Sequence, residues 1–221
     1  MYRLNWNGVV FSVTNIGGGI LKEEISSHSH ALGCYELHFI IGGEGRVIAS
    51  GKEYPLKGGD MFITGPNVYH SQPADGMEDI VIMLKADKTK GALPFCRIFL
   101  NTGFFKIPDF NMQTVKRIYF EHFQNSEDKE TAVSALCALL LTEITRRLSG
   151  GGEYTKAENE NLNDRRFVII ENYFLFGKDY NLSELADKIG LCERQTQRLL
   201  KKYYGKTFRE KKKESLLASR V

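Results

Sequence analysis

No stretch of this chain approaches the roughly 20 consecutive apolar residues that a membrane-spanning helix needs, which argues against a membrane span. The N-terminus, MYRLNWNGVV, has no basic stretch leading into an apolar segment of signal-peptide length, which points away from export and toward the cytoplasm. Cysteine is scarce, and Cys34, Cys96, Cys137 and Cys192 form no CxxC pair. Neither a zinc knuckle nor a disulfide framework is therefore indicated, and most of the four are expected to be small core residues. No internal repeat is present. What remains is an ordinary balance for a soluble protein, 42% apolar and 26% charged, in a chain of 221 residues that has room for more than one module.

Charge is unevenly shared. Residues 165–221 hold 14 Lys and Arg against 7 Asp and Glu, a balance of +7, while residues 1–164 carry −4. A basic C-terminal quarter behind a mildly acidic body suggests that only the tail meets a polyanion.

From Ile25 to Leu84 the pattern is one of short strands punctuated by glycine. YELHFII (Tyr35 to Ile41) is an apolar strand with Glu36 and His38 on one face. RVIAS, Gly51 and KEYPL read as a hairpin, MFIT follows a turn at Gly58 to Asp60, and DIVIML (Asp79 to Leu84) makes a further strand. Strands at this spacing imply a sandwich or barrel. After residue 110 the period changes. Met112, Val115, Ile118, Tyr119 and Phe123 recur at helical spacing, as do Val133, Leu136, Cys137, Leu140, Ile144 and Leu148. The second stripe is either a dimer seam or a helix packed on its own barrel. Residues 149–163, rich in glycine and polar groups, read as a linker.

Four helical patterns follow. DRRFVIIENYFLF places Phe167, Ile170 and Phe174 on one face. A helix capped by Asn181, with Glu184 closing a capping box, runs to Gly190. A third spans about Glu193 to Tyr203, and a fourth begins after Thr207, boxed by Glu210. Ala186 is the small contact and Gly190 the turn that a helix-turn-helix requires, with Leu191, Leu199 and Leu200 facing inward. The outward face of the third helix offers Arg194, Gln195, Gln197 and Arg198, types that donate to base edges in a major groove. Lys201, Lys202, Lys206, Arg209 and Lys211 to Lys213 suit phosphates.

The run from Leu185 and Ala186 through Gly190, Cys192 and RQTQRLLKK to Gly205, Thr207 and Phe208 resembles the first helix-turn-helix of the AraC family of transcription regulators. The resemblance covers about 57 C-terminal residues. It departs from the family at Cys192, a weaker cap, at Thr196, where a larger apolar residue is usual, and at Lys211 to Lys213, in a linking helix that is usually more apolar. It implies a second helix-turn-helix after the linking helix, so the chain reads as the family's reader cut after its first motif. HSHALGCYELHFIIGG and GGDMFITGPNVYH resemble the paired motifs of the cupin fold, which regulators of this type use for sensing. Gly65 stands where proline is usual, and five residues separate His30 from Glu36.

These observations give an α+β expectation: a cupin-like β-barrel over residues 1–110, a helical dimerisation or packing segment over 111–148, the linker, and an all-α helix-turn-helix domain over 164–221. The function expected is regulation of promoter DNA by a homodimer that binds a small-molecule effector among His28, His30, Glu36, His38, Tyr69 and His70. His28, His30, Glu36 and His70 are also a set suited to Zn, Fe or Mn. The reading adopted is an organic ligand without metal or other cofactor, and no enzyme activity. The rivals are a metal-dependent cupin isomerase or dioxygenase with an incidental helical tail, and a partner that inhibits a full-length relative by mixed dimerisation.

Overall fold

Alternation along Cys34–Gly42 sets up the architecture, described by a computed structural model for residues 1–150, 154–156, 166, 169–170, 173–174 and 180–218. Successive side chains of a strand point to opposite faces. In this strand Tyr35, Leu37 and Phe39 enter one core, with helices beyond it, while Ile40 belongs to another, and Glu36 and His38 share its face. The strand is buried on both faces, as a central strand between two layers must be.

Eleven strands are described: β1 (Tyr2–Trp6), β2 (Val9–Ile20), β3 (Ile25–His28), β4 (Cys34–Gly42), β5 (Glu44–Ala49), β6 (Lys52–Lys57), β7 (Met61–Thr64), β8 (His70–Gln72), β9 (Glu78–Lys88), β10 (Thr102–Ile107) and β11 (Tyr154–Lys156). They form a seven-stranded sheet in the order β1-β2-β9-β4-β7-β10-β11 and a four-stranded sheet in the order β3-β8-β5-β6. The barrel expectation is thus corrected: the sheets are not closed on one another. β1–β2 and β10–β11 extend the larger sheet on both sides, and no ladder among the described residues joins it to the smaller one. The strands expected from Tyr35 to Leu84 are present. The two before Ile25 and the two at residues 102–107 and 154–156 were not foreseen.

Helices α1 (Pro94–Leu100), α2 (Gln113–Phe123) and α3 (Lys129–Ser149) cover the outer face of the larger sheet. Trp6, Phe11, Tyr35 and Phe99 pack ring against ring there, and Trp6 Nε1 donates to Thr142 Oγ1 at 2.9 Å. Burial of each such side chain contributes about 1.5–3 kcal/mol. The stripe of Val133, Cys137, Leu140 and Ile144 is spent in this core. The packing alternative therefore describes the stripe, and α2 and α3 share one core with the strands before residue 110. Part of the expected linker is also structured, since Tyr154–Lys156 pairs with β10. Residues 151–153 and 157–163 lie outside the described residues, as do Phe167 and most of the first C-terminal helical pattern.

Three further helices are bounded among the described C-terminal residues: α4 (Leu182–Ile189), α5 (Glu193–Tyr204) and α6 (Phe208–Ala218). Gly190 takes the left-handed conformation (φ 64°, ψ 43°) that a non-glycine residue adopts at a cost, and this turns the chain from α4 into α5. Leu185, Ile189, Leu200, Tyr204 and Phe208 pack with Ile170, Tyr173 and Phe174 around this turn, and Ala186 is buried. The Asn181 cap forms, its Oδ1 accepting from Ser183 N at 2.9 Å. The box expected at Glu184 does not close, because Tyr173 Oη donates to Glu184 at 3.1 Å and accepts from Asn181 N at 2.6 Å. The Thr207 box does close: Thr207 N donates to Glu210 Oε2 at 2.6 Å and Glu210 N to Thr207 Oγ1 at 3.3 Å. Thr207→Ala is expected to cost about 1 kcal/mol. Urea unfolding followed by circular dichroism measures it, and an unchanged midpoint would show that the box contributes nothing.

Candidate functional site

The site lies where the two sheets face each other. β3 and β8 of the smaller sheet pair with His28 opposite His70, and β4 of the larger sheet projects Glu36 toward both. The segment 29–33 leads from β3 into β4 and carries His30 inward, where it is buried. One ligand atom from each of His28, His30, Glu36 and His70 can be chosen so that all lie within 4.8 Å of one another.

A single carboxylate oxygen gathers them. Glu36 Oε2 stands 2.9 Å from His70 Nε2, 3.0 Å from His30 Nε2 and 3.8 Å from His28 Nε2. The other ring nitrogens of two of these histidines are already committed. His28 Nδ1 meets the Ser26 carbonyl at 2.9 Å and His70 Nδ1 meets the Val68 carbonyl at 3.1 Å. A carbonyl oxygen only accepts, so each of these Nδ1 atoms carries a proton. For His70 burial, helped by the nearby His28, pushes the imidazole down to about 3, so this ring is neutral at ordinary pH. Two acceptors then face each other at 2.9 Å, an arrangement that calls for a cation between them.

The donor set passes that test. Two donors held about 2.1 Å from one ion at right angles stand about 3.0 Å apart, the spacing that Glu36 Oε2 keeps from His30 and His70. Backbone carbonyls behind two of the imidazoles are the outer partners that orient histidine ligands. Imidazole and carboxylate together suit Zn, Fe or Mn. A divalent ion bound there would supply Lewis acidity and leave coordination positions for a small molecule.

His38 is not part of this group. Its Nδ1 is 3.0 Å from Asp79 Oδ2, and its ring stacks on Phe62 at 4.3 Å with an interplanar angle of 9°. Burial opposes its charge, but Glu36 at 3.4 Å and the bond to Asp79 outweigh it and raise the imidazole to about 9. A positive His38 in turn acts on Glu36. Burial would raise that carboxyl, yet the charges of His38 and His30 and hydrogen bonds from His28 and His30 hold it well below the usual carboxylate range. His38 therefore keeps the central oxygen anionic.

Two more buried polar side chains adjoin the group. Thr64 is the cross-strand partner of Glu36, and Gln72 shares the face of β8 with His70. Thr64 Oγ1 and both polar atoms of the Gln72 amide have no hydrogen-bond partner among the described residues, and neither has His38 Nε2. Tyr69, expected in the pocket, is 48% exposed, with its ring under the Lys206 ammonium at 4.1 Å. Gly65, at the position where proline was expected, lies so close to β10 that a Cβ would run into the Thr102 carbonyl. A groove of about 360 Å³, lined by Pro94, Arg97, Ile98, Asn101, Thr102, Leu148 and Ser149, involves none of the four donors.

The C-terminal basic residues divide into two sets. Arg194, Arg198, Lys201, Lys202 and Arg209 are exposed. Gln195 is exposed but its Oε1 accepts from Cys192 N at 3.2 Å, and Gln197 is half-buried with its Oε1 3.4 Å from Phe208 N. Thr196, in place of the usual larger residue, is buried and donates to the Cys192 carbonyl at 3.1 Å. Lys206 and Lys211 turn toward the sheets, not outward as expected for phosphate contacts. Lys206 Nζ reaches Ser29 Oγ at 3.3 Å and Lys211 Nζ donates to the Ser29 carbonyl at 3.1 Å. Lys212 donates to the Tyr180 carbonyl at 2.7 Å, and Lys213 is exposed.

Sequence reasoning missed Asp79, Phe62, Thr64, Gln72 and Ser29. Only for Gln72 does a local signal exist, its two-residue spacing from His70. The cysteines behave as expected: Cys34, Cys96 and Cys137 are buried and Cys192 is exposed. Burial raises Cys137 to about 12. One thiol, Cys192, is expected to react with Ellman's reagent in the native protein and four after denaturation; a second fast native thiol would contradict this burial.

Residues 20–84, which span β3 to β8 and most of β9, match the family model described as a cupin domain. The comparison with curated proteins returned no match. Among solved structures, ToxT from Vibrio cholerae with an unsaturated fatty acid bound is similar over 96% of this chain and 79% of its own, at 8% identity and a TM-score of 0.46. A protein described as a predicted oxalate decarboxylase from Thermotoga maritima is similar over 38% of this chain and 90% of its own, at 23% identity and a TM-score of 0.30. A cupin protein from Bacteroides fragilis is similar over 36% of this chain and 66% of its own, at 20% identity and a TM-score of 0.28. Among the described residues no helix is long and apolar enough to cross a membrane.

Proposed function

We propose that this protein is a DNA-binding transcription regulator whose two-sheet domain senses a small polar effector at a metal-bearing site. His28, His30, Glu36 and His70 hold a first-row divalent ion in this reading, while Thr64 and Gln72 offer the effector hydrogen bonds. The observation that carries it is the position of the donor-bearing segment. Ser29, between two of the four donors, is also the residue on which the basic C-terminal helices rest. A metal ion replaces the metal-free organic pocket of the sequence reading, because the neutral imidazole of His70, aimed at a carboxylate 2.9 Å away, needs a cation.

The exposed basic face of α5 supports the DNA partner, with Arg194 and Arg198 as base readers and Lys201, Lys202 and Arg209 on phosphates. A homodimer belongs to the same proposal. It would use a surface other than the α3 stripe, which is buried within the protomer. The domain division proposed is a sensing body of strands and helices α1–α3 and a reader containing α4–α6.

A metal-dependent enzyme is the second reading, favoured by the coordination positions that a three-histidine, one-glutamate set leaves open. The two separate on DNA. Elemental analysis is expected to give one metal ion per chain, and a shift assay on duplex DNA is expected to show binding that weakens steeply with salt. Metal without any DNA binding at low salt would leave the enzyme and remove the regulator.

A further inference from the structure

Both turned-in lysines contact residues that flank metal-site donors in sequence. Ser29 lies between His28 and His30, and Tyr69 precedes His70. Lys206 touches both, by its bond to Ser29 Oγ and its place over the Tyr69 ring, and Lys211 takes the Ser29 carbonyl. Three of the four donors are therefore one residue away from a contact with the C-terminal helices. The packing is continuous around them: α6 lies against β3, and Ala31 and Cys34 belong to the same apolar cluster as Leu185, Leu200 and Phe208.

Lys211 makes this junction sensitive. It is 5% exposed, with the Tyr204 ring 5.3 Å and the Phe174 ring 6.0 Å from its ammonium. A buried ammonium is tolerated only where acceptors and aromatic faces replace water. A shift of Ser29 that lengthens one of these contacts raises the cost of keeping α6 docked. In the docked arrangement, moreover, the four donor atoms already stand within 4.8 Å of one another. An ion that prefers the assembled donors prefers the docked protein.

We infer that occupation of the four-donor site locks the C-terminal helices onto the sensing domain through Ser29 and Tyr69, and so withdraws Lys206 and Lys211 from nucleic acid. This rests on the metal-site reading above. The ion acts as a brake on DNA binding, and the brake is released when the site empties and Ser29 is free to move.

Coupling of this kind is reciprocal, so it has two independent readouts. With zinc(II) alone as the probe, the amides of residues 206–218 in the full chain are expected to exchange at least tenfold more slowly than without metal. Lys211→Met and Lys206→Met, which loosen docking without touching a donor, are expected to bind zinc more weakly by about five- to fiftyfold, with the sheet amides unchanged. His70→Ala is expected to lose both tight zinc binding and the protection. Stoichiometric zinc binding with unaltered exchange at 206–218, or with wild-type zinc affinity in both lysine variants, overturns the lock while leaving the metal site standing. Faster exchange on adding zinc overturns it in sign. Failure of the wild-type protein to bind zinc overturns the site reading and the lock together.

Discussion

Glu36→Gln is expected to weaken zinc binding by at least about a thousandfold, beyond the 10–100-fold that loss of an outer partner costs. The reason is geometric and electrostatic at once. Glu36 Oε2 is the atom on which the imidazoles of His28, His30 and His70 converge, and it is held anionic by His38. Glutamine keeps the shape but removes the negative charge, and its amide can put N–H groups where lone pairs are required. The imidazoles would then hydrogen-bond to the amide instead of coordinating. Asp79→Asn tests the outer layer of the same arrangement. It removes the partner of His38 but no donor, so a loss of about 10–100-fold is expected. Competition with a chromogenic chelator measures both. Wild-type affinity in Glu36→Gln would sink the four-donor assignment, and equal losses in the two variants would show that charge alone, not coordination, governs binding.

The difference between those two residues also marks what was legible in the sequence. The two-residue period of YELHFII is a local property, so it placed Glu36 and His38 on one face without reference to the rest of the chain. That His38 turns to Asp79 depends on the β4–β9 ladder, across 41 positions, and that Glu36 meets His28 and His70 depends on the smaller sheet, where β3 pairs with β8. Local patterns cannot fix that register. The same limit explains the barrel: alternation says which side chains share a face, but closure depends on which strands pair at the edges. Tyr154–Lys156 was hidden because its glycine-rich and polar surroundings suggested a linker, whereas pairing with β10 supplies the backbone partners that its composition does not advertise. Lys206 and Lys211 were assigned to phosphates because a charged helix face is usually solvated. Their actual direction is set by Ser29, nearly 180 residues earlier.

For Arg194→Ala combined with Arg198→Ala, affinity for a preferred duplex selected from a random pool is expected to fall by about 2–6 kcal/mol, thirtyfold or more. The proposal narrows the earlier set to these two. Gln195 is occupied in capping α5, and Gln197 lies half-buried against the start of α6. Arg194 and Arg198 stand four residues apart on an exposed helix face, so they lie side by side and project the same way. Guanidinium groups placed like this reach guanine O6 and N7 through two parallel bonds each, which is why their loss should relax sequence preference as well as affinity. Lys201→Ala and Lys202→Ala should behave differently, weakening all duplexes alike and lowering the salt slope by about one each. Fluorescence anisotropy titrations at several salt concentrations separate the two patterns. If the double arginine variant keeps both the affinity and the preference of the wild type, α5 is not the reading helix. If it loses affinity uniformly for every sequence, the arginines are phosphate contacts and sequence must be read elsewhere.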